Sequence, residues 1–401
     1  MVELLTPDVY VQEVPAGPRP IEAVGTRTAG FVGIAPKADM LRGQATAINN
    51  WLQFTRLYTD PDSTSTPLSN AVFGFFQNGG SRCFVVNIRR ADGVDVGLSA
   101  LEAEDEIAIV AAPGYTDVAS YDAILAHCEK LEDRVAVLDA PLQVDDITQL
   151  TRVATTVAAR AGGKAAGGDQ PEQKPGLRPR QSDRGFGALY FPGITVRDPI
   201  SGQLVDVTPS GHVAGIWART DATRGVHKAP ANEVVRGALN VTYRLTRDEQ
   251  GVLNPVGVNC IRYFPREGIR VWGARTLAAS ASEWRYLNVR RLFNMIEESI
   301  AEATRWIVFE PNDRELWKSI RRDVGAFLTR VWLDGALMGR TASEAFFVKC
   351  DEETNPPEVI DAGMVVAIIG IAPVKPAEFV IFQISQHAGG VEIEMEGGNG
   401  A

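Results

Sequence analysis

The chain has 401 residues, with 40 Lys and Arg against 50 Asp and Glu, a formal charge of -10. That length suffices for two or three domains with real cores, and 45% hydrophobic content with 22% charged excludes wholesale disorder. The acidic balance argues against a surface that clamps nucleic acid or an anionic membrane throughout, and four scattered cysteines, with no CxxC pair, exclude a disulfide scaffold.

Pro7, Pro15, Pro18 and Pro20 forbid a helix in the first twenty residues, while Val9, Tyr10, Val11, Gln12, Glu13 and Val14 favour an extended strand. Fully extended, twenty residues reach roughly 65 Å, enough to touch another subunit. A frayed terminus or an ordinary edge strand fits the same residues. No basic region with an apolar run follows Met1, so no secretory signal is expected.

From Cys83 onward the pattern is α/β. Strands are predicted at 83–88, 107–112, 135–138 and 187–191, with helices at 118–132 and 145–160. The runs at 107–112 and 135–138 are continuously apolar, as in parallel strands covered on both faces. In such a sheet a ligand would sit beyond the strand ends, near Pro113, Gly114, Tyr115 and Asp139. Residues 162–180 hold five Gly and three Pro and read as a linker. Apolar residues at helical spacing predict a helix over 288–306. A second helix is predicted over 312–334, capped by Asn312 with Glu315 and stopped at Gly335. Strand-like runs follow at 344–349, 364–371, 378–385 and 391–396. The most apolar stretch, 364–373, is half the length of a membrane span.

Catalytic constellations are missing. His127, His212, His227 and His387 form no HExxH or paired metal spacing, Gly162, Gly163 and Lys164 make no phosphate loop, and no nucleophile elbow occurs. No cofactor is expected. Charge is more informative: residues 261–291 hold seven Arg against two Glu, interleaved with Tyr263, Phe264, Trp272, Trp284 and Tyr286. That composition suits nucleic acid or a protein interface. The acidic chain, with its own acidic stretch at 351–361, favours head-to-tail protein docking. Candidate interface charges are Arg262, Arg266, Arg270, Arg275, Arg290 and Arg291, opposite Asp351, Glu352 and Glu353.

The strings PSGHVAGIWARTDATRGVHKAPANEVVRGA (209–238), LNPVGVNCIRYFPREGIRVWGARTL (253–277), EWRYLNVRRLFNMIEESI (283–300), EAFFVKCD (344–351), TNPPEVIDAG (354–363) and IAPVKPAEFVIF (371–382) closely resemble the contractile tail sheath family. TPDVYVQEVPAGPRPIEAVGTRTAGFVG (6–33) is similar to that family's opening arm. The resemblance implies a non-enzymatic subunit of mixed α/β fold that polymerises around an inner tube, as stacked rings or a multi-start helix, and contracts to drive the tube through an envelope. It implies an arm at 1–20, an outer α/β domain at 21–260, a tube-proximal domain at 261–387 and a second arm at 388–401. The strand donors would be Val9–Val14 with Val391, Glu392, Ile393, Glu394, Met395 and Glu396. The acceptor sheet would include Phe379, Val380, Ile381, Phe382, Gln383 and Ile384. Expected partners are other copies of the chain, the tube, baseplate and terminator or cap proteins, without nucleic acid or membrane insertion. Assembly would occur in the bacterial cytoplasm, within a phage tail or injection particle. The alternative is a ligand-binding protein or enzyme built on the 83–190 sheet.

Overall fold

The computed structural model describes residues 20–89, 93–155 and 174–381, together with the backbone of 383–387 and 390–394. The chain divides into two units: a sheet unit, Gly25–Asn294 with the segment from Pro373 onward, and a helical unit, Met295–Ala372 with the segment up to Val24.

The sheet unit runs β1 (Thr28–Gly33), β2 (Thr46–Ile48), α1 (Trp51–Tyr58), α2 (Pro67–Gln77), β3 (Cys83–Asn87), α3 (Val94–Leu101), β4 (Ile107–Ala111), α4 (Val118–Leu131), β5 (Val135–Asp139) and β6 (Gly187–Phe191). It continues through β7 (Ile194–Arg197), β8 (Leu204–Val207), α5 (Ser210–Arg224), β9 (Glu233–Val234), β10 (Ala238–Val241), α6 (Arg247–Leu253), β11 (Val258–Phe264) and β12 (Gly268–Trp272) into α7 (Leu287–Ala303). Nine strands form one sheet in the order β2-β3-β1-β4-β5-β6-β11-β12-β9. The six from β3 to β11 are mutually parallel; β2, β12 and β9 pair antiparallel at the edges.

Strand residues alternate between two cores, which explains the unbroken apolar runs. Phe31, Val85, Ile109, Val137 and Tyr190 pack with α1, α2 and α5. Val32, Val86, Val110, Leu138 and Leu189 pack with α3 and α4 on the other face. Each such buried side chain is worth roughly 1.5–3 kcal/mol relative to exposure. Helices α2 and α5 approach so closely that a Cβ at Gly211 would run into the backbone of Ala71, and one at Gly215 into that of Phe75.

The helical unit holds α8 (Arg314–Leu333), α9 (Ala342–Ala345), β13 (Phe346–Lys349), α10 (Pro357–Asp361) and β14 (Ile368–Ile371), with β13 and β14 antiparallel. The apolar face of α8 is buried through Leu316, Ile320, Val324, Phe327, Leu328 and Val331, as its spacing predicts. Back in the sheet unit, β15 (Gln383–His387) and β16 (Gly390–Glu394) make an antiparallel hairpin.

Several expectations change. The helix at 145–160 is replaced, as far as residue 155, by a 3-10 turn at Ile147–Thr151 and an extended stretch. Ala154 N donates to Arg178 O (2.7 Å) and Arg178 N to Arg152 O (3.0 Å), so the end of the expected linker supplies the backbone partners a helix would have supplied. The cap of α8 is Asp313, which accepts from Leu316 N at 2.9 Å. Asn312 is otherwise engaged: its amide donates to Met364 O (2.8 Å) and accepts from Trp317 Nε1 (2.8 Å). The strand expected over 364–371 shortens to β14, because Met364 and Val366 bond to the amides of Asn312 and Asn355 instead of to a strand. A domain cut between 260 and 261 would sever β11, which belongs to the large sheet; the two units divide at 294/295, inside α7.

Candidate functional site

The segment expected to act as the N-terminal donor strand, Val9–Val14, lies outside the described residues. Its root is firmly held. In the helical unit Ile21 is buried, its carbonyl accepts from Arg330, and Val24 N donates to Ser299 Oγ at 3.0 Å. In the sheet unit Thr26 is bonded through both its carbonyl and its hydroxyl, as described below.

At the other end, Val391, Glu392, Ile393 and Glu394 lie in β16, paired with β15 of the same chain, which contains Gln383 and Ile384. Phe382, Met395 and Glu396 lie outside the described residues. Phe379, Val380 and Ile381 belong to no strand and are 73%, 68% and 76% exposed, so one continuous strand over 378–385 does not form within the subunit. The reason is Glu378. Its carboxylate accepts from Arg275 Nε (2.8 Å) and Nη2 (2.7 Å), Asn254 Nδ2 (2.8 Å) and the Tyr286 hydroxyl (3.2 Å), turning residue 378 toward the body of the sheet unit. Burial works to raise this carboxyl, but the bonds from Arg275 and Asn254 outweigh it and hold it below the usual range.

The arginine-rich segment splits. Arg266 is exposed in the β11–β12 turn, at φ +74°. Arg262 donates to Gln250 Oε1 (2.8 Å) and lies over Phe264, and Arg270 donates to Asn232 O (2.9 Å) and pairs with Glu267 (3.3 Å). Arg275, Arg290 and Arg291 are buried. Arg290 is clasped between aromatic rings, 4.2 Å from the centroid of Trp284 and 4.8 Å from that of Phe186, and donates to Asn294 Oδ1 (2.6 Å). Arg291 forks onto Asp221 at 3.0 and 2.6 Å, donates to Thr26 O (2.9 Å) and lies 4.8 Å over Trp217. Thr26 Oγ1 completes the knot by donating to Asp221 Oδ2 at 2.6 Å. Three of the six candidate interface arginines, Arg275, Arg290 and Arg291, are therefore internal ties, buried within the subunit instead of presented on its surface. Asp221 and Glu378 were not singled out from sequence; each is an isolated carboxylate among apolar and basic neighbours, which is the signal that marks it.

The acidic candidates are surface groups with local partners. Asp351 accepts from Glu353 N (3.0 Å) and Thr354 N (3.3 Å), Glu352 pairs with Arg314 (2.7 Å), and Glu353 pairs with Lys349. Exposed pairs of this kind contribute little to stability and remain free to re-pair.

Helix α2 and Asp139 occupy part of the strand ends. The parallel order places the topological switch between β1 and β4, where a ligand would bind. There Pro67 packs against Gly114, and buried Leu68 packs beside Gly33. Asp139, also buried, accepts from Gly114 N (3.2 Å), Ser210 N (2.8 Å) and Ser210 Oγ (2.7 Å), capping α5 from a distant strand. Burial pushes the Asp139 carboxyl up to about 6 despite these bonds. Among the described residues no cluster of His, Cys, Asp and Glu could hold a metal ion, and no helix is long and apolar enough to cross a membrane.

Comparison with known proteins agrees with this architecture. A phage tail sheath protein central domain matches residues 90–277, and a phage tail sheath C-terminal domain matches 279–387. The helical sheath of the anti-feeding prophage in its contracted state is 30% identical, covering 96% of this chain and 100% of that one, with a TM-score of 0.74. The sheath complex of the extracellular contractile injection system PVC, also contracted, is 28% identical over 97% of this chain and 99% of that one, at a TM-score of 0.77. The tail sheath protein of Vibrio phage KVP40 is 31% identical over 174 residues, 43% of this chain and 25% of its own length. That of Salmonella phage ViI is 27% identical over 292 residues, 70% and 44% respectively. The chain thus spans between a quarter and a half of these two curated relatives. It belongs to the phage tail sheath family.

Proposed function

We propose that this chain is the repeating subunit of a contractile sheath, which polymerises around an inner tube and contracts to drive that tube through a target envelope. The observation that carries the reading is the similarity along 96% of the chain to a contracted helical sheath. Neighbouring copies are the principal partner, with a baseplate at one end, as a similar chain in the anti-feeding prophage baseplate suggests. The tube and a terminator or cap complete the set, and assembly takes place in the bacterial cytoplasm. The 83–190 region faces outward, and residues 261–387 carry the tube-proximal surface.

Subunits are meshed by strand exchange through Val9–Val14 and residues 391–396, received by a sheet edge that includes Gln383 and Ile384 of β15. A six-residue strand gains a few kcal/mol, at about 0.5–1.5 per hydrogen bond, and repetition over the polymer makes the mesh strong. The work of contraction comes from repacking folded subunits, so no nucleotide or cofactor is required and the subunit has no catalytic role. Against a ligand-binding enzyme stands the crevice at β1 and β4, occupied in part by α2 and by Asp139 with its Ser210 bonds.

Electron microscopy of the purified chain tests this. Full-length protein is expected to form tubular polymers, and a form lacking residues 1–20 is expected to stay folded by circular dichroism without forming them. Normal tubes from the shortened chain contradict strand exchange.

A further inference from the structure

In the sheet unit a guanidinium–carboxylate knot sits at Thr26, where the chain enters from the N-terminal segment, and another at Glu378, where the C-terminal segment leaves. At the N-terminal side, Asp221 takes both prongs of Arg291 and the hydroxyl of Thr26, while Arg291 also holds the Thr26 carbonyl. Asp221 and Arg291 are each only 2% exposed at the side chain. At the C-terminal side, Glu378 receives four hydrogen bonds from Arg275, Asn254 and Tyr286, and Arg275 also donates to Asn254 O at 3.2 Å. The residues immediately beyond, Phe379 to Ile381, stand in solvent.

Six residues lie between Val14 and Ile21, and twelve between Glu378 and Val391. Extended, these stretches span about 25 and 45 Å. Forked arginine–carboxylate pairs are the strong, directional kind of hydrogen bond, and here several act in parallel on one point of the backbone. A pull along either segment meets the knot before it reaches the strands of the large sheet.

We propose that Arg275–Glu378 is the fixed point through which tension in the C-terminal segment enters the folded subunit, and that Arg291–Asp221–Thr26 is the hold that keeps tension passing Ile21 and Val24 from reaching the strands of the large sheet. Arg275 and Arg291 are thus positioning residues for the exchanged strands, with no direct contact to a neighbour. This rests on the strand-exchange reading above.

The test uses full-length polymers sheared at a fixed rate and counted for breaks per unit length by electron microscopy. Asp221→Asn and Glu378→Gln are compared with Ile124→Val, a core change on α4 that touches neither set of knot hydrogen bonds, at matched loss of monomer Tm. Arg275→Lys, which keeps charge and loses the fork, serves where Glu378→Gln does not fold. At least a threefold rise in breakage is expected for the knot variants, with little change for Ile124→Val. Folded knot variants that do not polymerise at all, while Ile124→Val does, also support the proposal. Breakage equal to that of Ile124→Val overturns it, since a merely stabilising role would affect all alike. Val11→Pro, which removes a ladder donor from the N-terminal strand, separates the two readings. If Val11→Pro weakens the polymer and the knot variants do not, only the anchors fail. If Val11→Pro polymers match wild type, strand exchange itself fails.

Discussion

The two ends of the arginine-rich segment look alike in sequence and do opposite things. Around Arg262, Arg266 and Arg270 the charges sit on an edge hairpin, with exposed or half-exposed heads and few partners. Around Arg275, Arg290 and Arg291 they are buried and forked onto carboxylates, carbonyls or rings. A local excess of positive charge is therefore not one electrostatic patch. What separates the two halves is whether partners from elsewhere in the chain enclose the guanidinium: Glu378 for Arg275, Asp221 for Arg291, and the rings of Phe186 and Trp284 for Arg290.

The sharpest way to break that contrast is Asp221→Ala, which strands Arg291 in an apolar site. A loss of about 3–5 kcal/mol is expected in urea denaturation of the monomer, as for other buried pairs deprived of one partner. Acid comes next. His127 and His212 are held by burial at about 4, so the unfolded chain takes up their protons first and stability falls as pH drops from 6.5 towards 4. Each proton contributes a slope of about 1.4 kcal/mol per pH unit. Glu378, held low, adds to this loss at the lower end of the range. Asp139 works the other way: its raised value makes its contribution full below about 3.8 and lost as pH rises through about 6. A Tm profile against pH should be shallower in His127→Gln and steeper between 4 and 6 in Asp139→Asn.

Arg275→Lys is expected to cost about 1–2 kcal/mol, since one charged bond survives while the fork is lost. Arg266→Gln, at the exposed end, should change stability by less than about 0.5 kcal/mol. A large effect there would erase the distinction between the two halves.

Local pattern made the parallel strands legible, because Ile109, Val110, Val137 and Leu138 must satisfy two cores at once. The helices at α4, α7 and α8 were equally plain from their periodicity. The failures have a common cause in long-range partners. The stretch after Ile147 looked helical until the end of the linker took its backbone, and Phe379 to Ile381 looked like a strand until Glu378 was drawn to Arg275. Asn312 lost the capping role to Asp313 because Trp317 and Met364 had claims on its amide. The same blindness hid the sites: burial of Arg291 depends on Asp221, seventy residues away, and no local window contains both.

The most direct test of the whole account is a reconstruction of the polymer by electron cryomicroscopy at side-chain resolution. The expected map shows Val9–Val14 of one subunit hydrogen-bonded into a sheet of a neighbour, with Arg291–Asp221 and Arg275–Glu378 intact at the roots of both segments. A map in which both terminal segments pair only within their own subunit would contradict it.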